Sequence, residues 1–170
     1  GDASSGSGDV LLSTGNAGSA TSGSLKLTTG ASEMSSAGDV EVTIGTAGSR
    51  AGSLVIQGGN SSSIDALKNH GGGNVSLLAG SGAVGGNISI NGGEAGANTG
   101  GAVFLTSGAS NQTASGQLLI SSSPGVLGSG DVLLETGTSR VGHSGALLLT
   151  TGNSNLASGS VTLSGGSSAT

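Results

Sequence analysis

The sequence contains no Cys, no Trp and no Tyr, and only one Phe and one Pro among 170 residues. Without Cys there is no disulfide framework and no thiolate metal site. Four Lys plus Arg stand against nine Asp plus Glu, for a net charge of −5. That balance excludes a basic footprint for nucleic acid or an anionic membrane. No apolar run reaches the roughly 18 residues that a bilayer-spanning helix needs. The first residues lack a signal-like apolar segment, so a targeting peptide is expected to be absent or already removed.

Gly and Ser are abundant instead. There are 37 Gly and 33 Ser. Such a composition often marks a low-complexity linker. Two properties argue against one here. Only 8% of residues are charged, and the mean hydropathy is +0.17, whereas disordered chains are usually more charged and less apolar.

The apolar residues recur in register. Eleven units begin at Gly8, Gly23, Gly38, Gly52, Gly73, Gly86, Gly101, Gly116, Gly130, Gly145 and Gly159. Most are 14 or 15 residues apart. A second Gly follows seven positions after the leading one in every unit but the eighth, where Ser123 and Pro124 stand at the corner. The second and fourth residues after each leading Gly are always Val, Leu or Ile, as in Val10 and Leu12 or Leu118 and Ile120. The sixth is usually small. Side chains two apart share one face of an extended segment. Each unit therefore reads as a short strand bounded by Gly corners, joined to the next by an arc rich in Gly, Ser, Ala and Asn.

Two large inward side chains cannot stabilise a strand alone, so such units are expected to stack. The expected fold is all-β, a parallel β-solenoid of 14–15-residue units forming one domain over residues 1–170. Val alternates with Leu or Ile at the second position through all eleven units. That alternation favours two strands, about 29 residues, per turn, with two facing parallel sheets about 10 Å apart. A coil of one unit per turn is the rival. The fourth unit is longer, and its insertion at 60–72 reads as a short helix with serines at its start and Gly71 at its end. Neither end of the chain carries a polar cap. Open strand edges then lead to the expectation of a longer repeat protein or of self-association end to end.

No catalytic constellation emerges, and the chain is read as not an enzyme. His70 and His143 stand apart from carboxylates and from any ligand spacing. Asp9, Asp39 and Asp131 begin odd-numbered units, where Asp commonly accepts backbone hydrogen bonds beside a turn. The nine-residue calcium repeat is missing. No cofactor or metal is expected. Asn60, Asn74, Asn87 and Asn111 begin Asn-x-Ser/Thr sequons and are candidate glycan acceptors if the chain is secreted by a eukaryotic cell.

The third and fifth residues of each unit point outward in this reading. Phe104, Leu119, Leu133 and Leu148 occupy the third position of four successive units and form a candidate assembly face. Thr28, Thr43, Thr106 and Thr150 at the fifth position suit an ice-binding array, but Gln57, Leu78, Asn91 and Glu135 interrupt it.

The unit Gly8-Asp9-Val10-Leu11-Leu12-Ser13-Thr14-Gly15, echoed from Gly130 to Gly137, resembles the Gly/Ser/Thr-rich repeats of large surface proteins of algae, other protists and their viruses. The resemblance spans nearly the whole chain. It implies an extracellular, cell-surface or virion-surface location and transfers no functional residue. Coil length and composition are also similar to thin antifreeze solenoids. The expected function is a rigid extracellular fibre or surface spike segment built by end-to-end stacking. Ice binding is the alternative, and a carbohydrate-binding adhesin is the third reading, weakened by the lack of Tyr and Trp platforms.

Overall fold

The computed structural model describes residues 6–62 and 70–167. Among these residues there is no helix and no strand. The expected parallel β-solenoid is therefore overturned, and with it the two facing sheets. The inserted helix expected within 60–72 falls mainly on residues 63–69, which lie outside the described residues.

The repeat does survive as a rhythm of bends. They fall at 18–20, 33–35, 48–49, 82–84, 96–98, 111–113, 126–127, 140–142 and 155–156. Each lies in an arc, two to five residues past the end of a predicted strand. Between bends the backbone has an extended character, seen in side chains two apart that meet. Thr43 Oγ1 donates to Glu41 Oε1 at 2.6 Å, and Asn91 Nδ2 donates to Ser89 Oγ at 2.8 Å. Both pairs join the third and fifth positions of one unit, as a period of two requires.

The inward and outward rows are also distinguishable. Outside the first and last units, second-position side chains are 49–59% exposed and fourth-position ones 60–72%. Apolar third-position side chains are 73–88% exposed. The ranges do not overlap, so the alternation read from sequence is physically present. What is missing is closure. No described residue is buried, and all 36 described large hydrophobic side chains are exposed. The accessible area is 17025 Å². A compact monomer of 15.6 kDa would expose about 7,200 Å² and its extended chain about 22,600 Å².

The physical reason lies in what a period of two reports. It fixes which side chains share a face, but it does not supply a neighbour for the backbone. Each unit offers two large apolar side chains against the ordering of many Gly and Ser, and Gly loses the most freedom on ordering. The chain divides into two units, Gly1–Ile88 and Ser89–Thr170. The first carries repeat units one to five and part of the sixth. The second carries the remainder.

Candidate assembly surface

Each arc narrows to a neck where one repeat unit ends and the next begins. Four necks are closed by a backbone hydrogen bond. The N–H of Gly73 donates to Gly59 O at 2.8 Å, and that of Gly86 to Gly80 O at 2.9 Å. The N–H of Gly101 donates to Gly93 O at 2.8 Å, and that of Gly116 to Gly108 O at 2.9 Å. In each pair the donor is a leading Gly and the acceptor is the closing Gly of the preceding unit. A one-unit coil would hold these two glycines about 23 Å apart, the length of an eight-residue strand. The closed necks rule that coil out.

A second contact recurs at every described neck. The sixth residue of a unit faces the α-carbon of the next leading Gly. A methyl group on Gly23 would lie 3.3 Å from Thr14 Cβ, and one on Gly52 would lie 3.1 Å from Ile44 Cγ2. On Gly86, Gly116, Gly145 and Gly159 it would lie 3.5–3.8 Å from Ala79, Ser107, Thr136 and Thr151. Gly58 and Gly92 occupy the sixth position in two units, and a Cβ on either would run into the carbonyl oxygen of Gly73 or Gly101. Close approach explains Gly23, Gly52, Gly58 and Gly92, whereas at Gly86, Gly116, Gly145 and Gly159 the distances are those of ordinary contact. Among the described residues only Gly6 has a positive φ, at 149°, so conformational freedom is not what the corners demand.

Four of the nine described bends are latched by serine. Ser32 Oγ accepts from Ser35 N–H at 3.1 Å. Ser139 Oγ accepts from Gly142 N–H at 3.0 Å, and Ser154 Oγ from Leu156 N–H at 3.1 Å. Ser110 Oγ accepts from Gln112 N–H at 3.3 Å and from Thr113 N–H at 3.0 Å, and it also bonds Thr113 Oγ1 at 3.0 Å. All four serines sit two residues after a closing Gly. Such hydroxyl-to-backbone bonds are an ordinary device of tight turns. The sequence reading missed this role. Its signal was the fixed offset, hidden by the abundance of Ser elsewhere.

Phe104, Leu119, Leu133 and Leu148 are 88%, 73%, 76% and 80% exposed, at the same position in consecutive units of Ser89–Thr170. Asn60 follows the neck residue Gly59, while Asn74 and Asn87 follow the neck donors Gly73 and Gly86. Asn111 opens the bend latched by Ser110. All four are exposed. Asp9, Asp39, Asp131, His70 and His143 are exposed as well, and among the described residues no three His, Cys, Asp or Glu gather where they could hold a metal ion. No helix among the described residues is long and apolar enough to cross a membrane.

No protein-family model, curated protein or solved structure matches this chain.

Proposed function

We propose that this chain is a structural repeat protein of an extracellular, cell or particle surface, and that it acts by self-association into a fibre. One observation carries the reading. Every large hydrophobic side chain described is exposed, yet in the nine repeat units between the first and the last those at the second to fourth positions are sorted into an inner and an outer row. Such a surface is far larger than the apolar patches that isolated soluble proteins present. A second copy supplies the same rows at the same spacing, so copies are mutually complementary over their length. Association removes apolar area from water and gives the open backbone N–H and C=O groups partners. The low charge, 8% of residues, leaves little repulsion to oppose it.

The exposed sequons at Asn60, Asn74, Asn87 and Asn111 are sites where glycans would coat such a fibre. Negative-stain electron microscopy and sedimentation on the full chain test the reading. Filaments that grow with protein concentration are expected. A chain that stays monomeric at all concentrations and shows thermal hysteresis would overturn the reading in favour of ice binding.

A further inference from the structure

We propose that the Asn91–Gly92 peptide is a self-modifying site, and that its conversion by water to an isoaspartyl linkage opens the neck between Gly93 and Gly101. The inference does not depend on self-association. Ten Asn lie along the chain, and Asn91 alone is followed by Gly. The others precede residues with side chains, among them Ala17 after Asn16 and the branched Val75 and Ile88 after Asn74 and Asn87. Asn is a labile residue because the backbone nitrogen that follows it can attack its side-chain amide. A side chain on the following residue shields that nitrogen and restricts its rotation. Gly removes both obstacles.

The structure leaves the reacting atoms accessible. Asn91 occupies the outward fifth position of its unit, and Gly92 precedes the closing Gly93. Asn91 and Gly92 are both exposed, and neither lies in a helix or strand. The Gly92 N–H donates to none of the described residues, so no bond there must break before the nitrogen attacks. The Asn91 carboxamide is held by one exposed bond, from Nδ2 to Ser89 Oγ at 2.8 Å.

The reaction needs only water. The Gly92 nitrogen attacks Asn91 Cγ, and the new N–Cγ bond closes a succinimide ring. The Cγ–Nδ2 bond breaks, and the proton from Gly92 N leaves with Nδ2 as ammonia. Water then adds to one ring carbonyl and breaks its bond to nitrogen. Addition at Cγ gives an ordinary aspartyl residue. Addition at the Asn91 backbone carbonyl leaves Gly92 joined through Cγ, so the main chain gains one atom. Either product carries a carboxylate where a neutral amide stood.

The added atom falls where the neck has least room. A Cβ on Gly92 would run into Gly101 O, and one on Gly101 would lie 2.9 Å from Gly93 N. Between them runs the bond from Gly101 N–H to Gly93 O, at 2.8 Å. A longer main chain just before Gly92 displaces Gly92 and Gly93 against Gly101, and that bond is lost. The neck between Gly108 and Gly116 lies beyond the lengthened peptide and stays closed.

Incubation of the full chain in neutral buffer, with peptide mapping by mass spectrometry over time, tests the reaction. Asn91 should convert at least about fivefold faster than Asn16, which differs in preceding Ala. Equal rates would overturn the proposal. Chromatography then separates the isoaspartyl chain for amide exchange. Its Gly101 amide should exchange about threefold faster than in the fresh chain, with Gly116 unchanged. A Gly101 amide that exchanges equally in the fresh and isoaspartyl chains would overturn the proposal. Asn91→Gln, whose longer side chain does not close this ring, should keep Gly101 slow throughout incubation. Fresh Asn91→Asp carries the charge without the added atom and should also keep Gly101 slow. Fast Gly101 exchange in fresh Asn91→Asp would assign the opening to charge and overturn the role of the lengthened main chain.

Discussion

Ser110 accepts two backbone amides and meets the Thr113 hydroxyl, all within one bend. Each bond is exposed, so each contributes at the low end of the usual range. Ser110→Ala is expected to speed exchange of the Thr113 amide about two- to threefold, corresponding to about 0.4–0.7 kcal/mol. Ser110→Thr retains the hydroxyl and should restore slow exchange. Exchange as slow in the Ala variant as in the unaltered chain would show that the latch is decorative. At this scale the sequence is only partly readable. The recurrence of Gly at the corners was legible, but the close approaches behind some of them were not. A close approach such as that of Ile44 to Gly52 depends on a neighbour eight residues away, which no local pattern displays. That contact predicts its own rescue. Gly52→Ala should weaken the third neck, and Ile44→Ala with Gly52→Ala should recover most of the loss, measured as the coupling in a double-mutant cycle of association midpoints.

The element of this chain is a repeat unit with two faces and a neck at each end. The two faces were legible because extended backbone alternates its side chains regardless of what lies beside it. Leu118 is 54% exposed and Leu119 is 73% exposed, although they are adjacent and identical. Replacing them separates the roles of the rows. Leu118→Ser should raise the concentration needed for association several-fold, roughly as one lost Leu burial implies. Leu119→Ser should leave that concentration nearly unchanged and reduce the bundling of formed fibres, seen by electron microscopy. Equal effects would mean that the rows are not distinct. The strands themselves were misread for a clear reason. A strand is defined by a laterally bonded partner, and the pattern Gly-Asp-Val-Leu-Leu-Ser-Thr-Gly carries no information about who that partner is. The necks went unread because their bond runs between Gly and Gly, residues that leave no side-chain signature.

For the molecule as a whole, area is the governing quantity. At 17025 Å² the single chain exposes more than twice the surface of a compact protein of its mass. The sequence showed that apolar residues were abundant enough to be ordered. It did not show that a single chain leaves every described one of them exposed. An assembly driven by apolar burial carries a distinct solution signature. Sodium chloride should have little effect on the association midpoint, because charged groups are few. Sulfate should lower the midpoint and cooling should raise it. A steep dependence on sodium chloride would instead point to the few acidic groups. The central claim, that order in this chain is completed by other copies of itself, meets its most direct test in sedimentation velocity combined with amide exchange across a dilution series. The account predicts a monomer protected only at its closed necks and serine-latched bends when dilute, and broad protection of the eleven repeat units appearing together with large species. A dilute monomer already protected throughout, or large species that gain no protection, would contradict it.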